Sequence, residues 1–132
     1  MDINAYKPKG SIQNRHLLTL MDYTPSEIFE VLHTAKNLKR SLKAGEHITE
    51  LKHKTLAMIF AKSSTRTRVS FEMGIRQLGG EGLFLSSNDI QLGRGETIYD
   101  TVNVLQRYNI DAIMIRTFKQ SDVEDLAKYG NI

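Results

Sequence analysis

Hydroxyl-bearing and guanidinium side chains follow one another without interruption in Ser63-Ser64-Thr65-Arg66-Thr67-Arg68. This segment follows a short apolar run, residues 55–61, and precedes a stretch with helical spacing that reaches Leu78. A turn from a strand into a helix presents unpaired backbone N–H groups at the positive end of the helix dipole. Hydroxyls add donors, and guanidinium forks suit phosphate or carboxylate oxygens. The segment predicts an anion site, although Ser and Thr also stand at helix starts merely as caps.

The elements that must position this segment can be predicted from capping residues and periodicity. Thr24, Pro25 and Glu27 have the spacing of a capping box with proline at the first helical position, and apolar residues then recur at helical spacing up to Gly45. A helix is therefore predicted over residues 25–44.

Strands and helices alternate along the rest of the chain. Short apolar runs predict strands at residues 55–60, 83–86 and 112–117. Helical spacing predicts helices at residues 68–78, 98–108 and 121–129. This alternation predicts an α/β fold, a parallel sheet flanked by helices with right-handed crossovers. A further strand is expected after Ile132, so the fold is expected to be truncated before its last strand.

Three separate segments are predicted to bring polar side chains to one face of that sheet. Loops that leave the carboxyl ends of parallel strands form the binding face of a doubly wound sheet. Arg66, Gln91, Arg94 and Arg116 all follow or end such strands. Taken singly, Gln91 could be an ordinary loop amide and Arg116 a solvated strand end. Their convergence strengthens the prediction of an anion site.

Composition bounds the class of protein. The chain has 132 residues, 40% apolar and 25% charged, which fits one soluble globular domain. It has no cysteine, which excludes disulfides and thiolate metal sites and fits a reducing compartment. No apolar run is long enough to span a bilayer, and residues 1–10 lack the apolar core of a signal peptide. We therefore expect a cytoplasmic protein with no membrane partner.

The charge balance is mild. The formal net charge of +3 does not argue for nucleic acid, and the basic stripe with interleaved aromatic residues that nucleic-acid binding needs is absent from the sequence. Nucleic acid is therefore not expected as a partner.

Three segments carry a family resemblance, and they keep their order along the chain. Residues 60–72, residues 89–101 and residues 111–118 read FAKSSTRTRVSFE, DIQLGRGETIYDT and DAIMIRTF. They resemble, respectively, the signature of the aspartate/ornithine carbamoyltransferases, the loop and helix that follow it in ornithine-type members, and the third strand with its arginine. The resemblance covers most of the chain and implies a carbamoyl-phosphate-binding domain over residues 1–132.

The resemblance also implies roles for residues. Ser64, Thr65, Arg66 and Thr67 would grip the phosphate of carbamoyl phosphate. Arg116 would reach the carbonyl oxygen and the phosphate, so that Arg66 and Arg116 are the expected catalytic residues.

The resemblance also implies how the enzyme assembles and which reaction it catalyses. Gln91 is a further expected carbamoyl-phosphate-binding residue, because it would lie where ornithine-type members carry a glutamine that reaches a neighbouring subunit's site. Arg94 has no firm role. The implied assembly is a homotrimer. The transfer to the amine of ornithine, giving citrulline and phosphate in arginine metabolism, would need no cofactor and no metal.

Several family motifs are not found in the chain. It has no His-Pro-x-Gln, His-Cys-Leu-Pro or Ser-Met-Gly segment. The second, amino-acid-binding domain that the resemblance implies is therefore expected to lie outside residues 1–132. None of its four histidines lies in the three converging segments. The chain alone is expected to have little or no turnover. The alternatives are a carbamoyltransferase for putrescine, aspartate or an acylated amino acid, or a non-catalytic oligomerising fragment.

Overall fold

The computed structural model describes Ile12, residues 16–86 and residues 98–132. The chain divides into two compact units, Met1–Ile48 and Thr49–Ile132. Within the described residues, no helix is both long enough and apolar enough to cross a membrane.

The first unit contains a short 3-10 helix, Leu20–Asp22, and helix α1, Pro25–Lys43. The predicted capping box is present, since the Glu27 backbone N–H donates to the Thr24 hydroxyl at 3.2 Å and the Thr24 N–H donates to the Glu27 carboxylate at 3.1 Å. Gly45 ends the helix with a φ of 77°, a left-handed conformation that glycine adopts without strain. The predicted helix is confirmed, and it ends just before Gly45, the residue predicted to stop it.

The second unit is a parallel three-stranded sheet with the strand order β2-β1-β3. Its strands are β1, Thr55–Phe60, β2, Glu81–Ser86, and β3, Ala112–Arg116. Its helices are α2, Thr65–Gln77, α3, Ile98–Arg107, and α4, Gln120–Tyr129. The predicted α/β class with a parallel sheet is confirmed.

Two element boundaries differ from the prediction by more than one residue. β2 begins at Glu81 rather than at residue 83, because Glu81 pairs with Thr55 and its N–H donates to the Lys54 carbonyl at 2.9 Å. Glu81 and Gly82 are exposed, so apolar runs could not reveal them. α2 begins at Thr65 rather than at residue 68, a difference that changes the site described below.

The central strand forms the middle of the core. Ala57, Met58 and Ile59 are fully buried, which agrees with the prediction of a strand covered on both faces. Ala57 and Ile59 pack with Leu105 and Ile110 on one side of the sheet. The rigid centre of the sheet therefore lies in β1, the strand that leads directly into the hydroxyl-rich segment.

Glycines allow α2 to return closely to the sheet. Gly79 has a φ of 91° and ends the helix, and the Gly80 N–H donates to the Ile75 carbonyl at 2.9 Å. A Cβ at Gly80 would stand 2.9 Å from both the Lys54 carbonyl oxygen and the Ile75 Cδ1. The close approach of Ile75 to the strands thus depends on the missing side chain, and it sets where α2 lies.

Candidate anion site

The carboxyl ends of β1 and β3 lie side by side at the candidate site. Phe60, the last residue of β1, is the register partner of Arg116, the last residue of β3. The backbone N–H groups of Ala61 and Lys62 both donate to the Arg116 carbonyl, at 3.0 and 3.4 Å. The chain that leaves β1 is therefore fixed against Arg116 before it turns into α2.

Ser64 is the N-cap of α2. Its backbone is extended, with a φ of −163°, and its hydroxyl accepts a hydrogen bond from the Thr67 N–H at 3.3 Å. The predicted helix start at residue 68 was wrong, because the Ser64 cap begins the helix at Thr65. Thr65, Arg66 and Thr67 thus form the first helical turn, where the positive end of the helix dipole is strongest.

The cap leaves specific donors open for a ligand. The Ser64 carbonyl accepts from the Arg68 N–H at 3.1 Å, and the Ser64 hydroxyl accepts from the Thr67 N–H. The backbone N–H groups of Thr65 and Arg66 cannot be paired within the helix, since the first turn has no preceding carbonyls. Two adjacent N–H groups therefore remain as donors at the helix start.

The two hydroxyls at this turn form a short relay. The Ser64 hydroxyl donates to the Thr67 hydroxyl at 2.9 Å, in a half-buried position. Since a hydroxyl has one proton and two lone pairs, Thr67 can accept from Ser64 and still donate outward. The pair can therefore present a preoriented donor to an anion without first breaking its own contact.

A cleft of about 570 Å³ opens beside this turn. α2 contributes Thr67 and Phe71 to its wall, and β3 contributes Arg116. Gln120 and Val123 of α4 line it as well. The structure thus brings Thr67 and Arg116 of the predicted set into one cleft, whereas Ser64, Thr65 and Arg66 are not part of its lining.

Arg116 carries an unmatched donor. The Nε atom is buried and has no hydrogen-bond partner among the described residues. A charged donor left unpaired away from water costs about 1–3 kcal/mol or more, so native proteins rarely leave one without a ligand or water. An anion in the cleft would relieve this cost.

Arg66 and Arg68 have different surroundings although both are exposed. The Arg68 guanidinium carbon lies 3.6 Å from the centroid of the Phe84 ring, and its Nε lies 3.4 Å from a Glu72 carboxylate oxygen. Among the described residues, the Arg66 side chain has no such partner. Of the two guanidinium groups in the segment, Arg66 is the one left available to an anion.

The link between β3 and α4 holds residues that the sequence analysis did not single out. The Thr117 hydroxyl donates to the Asp122 carboxylate at 2.6 Å, which fixes the residue next to Arg116. Lys62 lies with its Nζ 5.5 Å from the centroid of the Phe118 ring, at the rim of the site. The sequence signal for Thr117 was its place directly after the strand-end arginine, but only the fold brings Asp122 to it.

Gln91 and Arg94 lie outside the described residues. Within residues 16–86 and 98–132, no three His, Cys, Asp or Glu side chains form a group that could hold a metal ion.

Comparison with known proteins identifies the family. The family model for the aspartate/ornithine carbamoyltransferase carbamoyl-phosphate-binding domain matches residues 15–132. The chain belongs to this family. The family resemblance predicted from the three sequence segments is therefore confirmed.

Similar proteins in the family are named ornithine carbamoyltransferases. The ornithine carbamoyltransferase of Campylobacter fetus is 59% identical over 118 residues, which are 89% of this chain and 38% of that protein. That of Pyrococcus abyssi is 57% identical over 122 residues, 92% of this chain and 38% of that protein. The chain thus spans a little over a third of the length of these relatives.

Solved structures show the same fold. The ornithine carbamoyltransferase of Pyrococcus furiosus superposes with a TM-score of 0.87 at 55% identity, over 92% of this chain and 38% of the other. The aspartate transcarbamoylase catalytic subunit of M. jannaschii gives a TM-score of 0.80 at 30% identity, over 89% and 38%. The fold is thus shared by family members named for two different amino acids.

Proposed function

We propose that this chain is the carbamoyl-phosphate-binding part of an ornithine carbamoyltransferase. The whole enzyme would transfer the carbamoyl group from carbamoyl phosphate to the amine of ornithine, giving citrulline and phosphate. The observation that carries the proposal is the start of α2. Its first turn begins with N–H groups of Thr65 and Arg66 that have no partner within the helix. Thr67 of the same turn lines one cleft with Arg116, whose Nε is buried without a partner among the described residues, in a chain of this family.

Phosphate binding would use the first turn of α2. The N–H groups of Thr65 and Arg66, the Thr67 hydroxyl and the Arg66 guanidinium can each donate to a phosphate oxygen. Ser64 contributes by capping the helix and by orienting the Thr67 hydroxyl through their 2.9 Å contact. The helix dipole adds its positive end to the same position.

Arg66 and Arg116 are the proposed catalytic residues. When an amine attacks the carbamoyl carbon, negative charge develops on the carbonyl oxygen, and phosphate then leaves. Arg116 ends β3, and its carbonyl accepts hydrogen bonds from Ala61 and Lys62 of the chain that leaves β1. From there it can stabilise that oxygen, while Arg66 can stabilise the departing phosphate. Preorganised donors of this kind need no covalent intermediate, and positioning of the two substrates adds to the rate.

The assembly and setting of the enzyme are part of the same proposal. Homotrimeric association, a role of Gln91 in a neighbouring subunit's site and a place in arginine metabolism follow from the family resemblance. The cytoplasmic location stays a prediction from the sequence.

The acceptor is the least constrained part of the proposal. Relatives at 55–60% identity are named for ornithine, whereas a solved structure at 30% is named for aspartate. The chain spans about 38% of the former, so acceptor residues outside it decide between ornithine, putrescine, aspartate and acylated amino acids. A citrulline assay with each amine offered in turn distinguishes them.

Calorimetric titration with carbamoyl phosphate and with inorganic phosphate tests the proposal. The protein should bind both ligands, and Arg66→Ala should weaken both. Arg76→Ala is the matched control, because Arg76 lies in the last turn of the same helix and is also exposed. A folded protein that binds neither ligand, or that responds alike to both substitutions, would contradict the proposal.

A further inference from the structure

The Arg68 guanidinium lies over the Phe84 ring. Its central carbon is 3.6 Å from the centroid of Phe84, well inside the range of a cation–π contact. Its Nε is also 3.4 Å from the Glu72 carboxylate, one turn further along α2. Both contacts turn the guanidinium towards β2 and towards a negative charge, which disfavours a second role as an anion ligand.

A continuous row of side chains begins at Arg68 and ends beside the anion site. The Phe84 ring lies 5.4 Å from the Phe60 ring, centroid to centroid, with the planes tilted by 42°. Phe60 is only 3% exposed and is the register partner of Arg116. The row therefore joins the first turn of α2 to the strand end that carries Arg116.

We propose that Arg68 is a positioning residue that fixes the first turn of α2 by stacking on Phe84, and that it does not itself touch the bound phosphate. The inference rests on the proposed function, because it concerns the same anion site. Thr65 and Arg66 precede Arg68 within one helical turn, so a small rotation of this turn would displace both of their N–H groups. Holding the turn against β2 keeps those donors aimed at one point.

The chemistry of the contact makes the inference specific. A planar guanidinium can lie on a ring face and keep its edge for Glu72, whereas a lysine ammonium is a compact, more strongly hydrated charge. The exposed pair with Glu72 is expected to contribute little by itself. Removing the Phe84 ring should therefore weaken phosphate binding as much as removing the Arg68 guanidinium.

A double-mutant cycle measured by phosphate and carbamoyl phosphate titration tests the inference in the complete protein. Arg68→Ala and Phe84→Leu should each raise both dissociation constants about tenfold, and the double variant should be no weaker than either single one. Phe84→Tyr, which keeps the ring face, should bind within about twofold of the unchanged protein. Arg76→Ala serves as the control on the same helix.

The outcomes separate the inference from the function on which it rests. If Arg68→Ala weakens binding while Phe84→Leu does not, Arg68 is a direct ligand and the inference is overturned. If both substitutions lower the melting temperature without changing the dissociation constants, the contact only stabilises the fold, and the inference is again overturned. If only Arg66→Ala loses binding, the proposed function stands and the positioning role of Arg68 is overturned. If the unchanged protein binds neither ligand, the proposed function and the inference both fail.

Discussion

Phe60 and Arg116 are register partners at the ends of two neighbouring parallel strands. The chain continues from Phe60 into α2, and Thr67 of its first turn lines the same cleft as Arg116. Backbone hydrogen bonds from Ala61 and Lys62 to the Arg116 carbonyl reinforce the strand pairing. Phe60 and Arg116 are 56 positions apart in the sequence. Main-chain geometry, which is far less adjustable than side-chain contact, brings them together.

Replacing Arg116 by Lys should damage catalysis although the charge is kept. The buried Nε donor has no equivalent in lysine, and a point charge cannot reproduce the guanidinium fork. We expect turnover in a citrulline assay of the complete enzyme to fall about 100-fold or more. Arg107→Lys, at an exposed position in the last turn of α3, is the control and should leave turnover unchanged.

Two substitutions at Ser64 should separate its capping role from its role at the site. Ser64→Ala should lower the free energy of unfolding by about 1 kcal/mol. Ser64→Gly should lower it by only a few tenths of a kcal/mol. Both remove the hydroxyl that orients Thr67, so both should weaken phosphate binding equally. Denaturant unfolding and calorimetry measure the two effects, and a phosphate affinity that follows stability instead would show that only the cap matters.

Gly80 and Gly74 should respond to alanine with opposite signs. A Cβ at Gly80 would stand 2.9 Å from the Lys54 carbonyl oxygen, and we expect a cost of about 1–3 kcal/mol in unfolding free energy. A Cβ at Gly74, within α2, meets nothing within 4 Å among the described residues, so alanine there should stabilise by about 0.5–1 kcal/mol. Urea unfolding of both variants checks this, and a Gly80→Ala variant as stable as the unchanged protein would contradict the close packing of α2.

Asp111 should matter for stability and not for the anion site. Its carboxylate accepts from the Thr55 N–H at 2.9 Å, and its own N–H donates to the Thr55 carbonyl at 3.1 Å, at the opposite end of β1 and β3 from Arg116. Asp111→Ala should lower the unfolding free energy by about 1–2 kcal/mol with no change in phosphate affinity. Lys54→Ala removes only an exposed 3.5 Å ion pair with the same carboxylate and should cost under about 1 kcal/mol.

Residue types along the chain were enough to predict the class of fold and the segment that carries the candidate site. A buried strand such as β1 must be apolar throughout, and a helix such as α1 needs a cap and a periodic apolar face, so local residue types are enough to reveal both. Three segments that keep their order along the chain, the Ser-Thr-Arg-Thr run among them, also revealed a resemblance to the family. Local patterns of this kind predict strands and helices without knowledge of which distant residues are in contact.

Which side chains lie together depends on strand pairing and packing, and could be seen only in the folded chain. The start of β2 was missed because Glu81 and Gly82 belong to the strand through hydrogen bonds to β1 and not through hydrophobicity. Arg66 and Arg68 look equivalent in the sequence, yet only Arg68 lies over Phe84, a partner 16 positions away that reaches it through the parallel pairing of β1 and β2. Pairing register and packing are long-range quantities, so residue types along the chain cannot fix them.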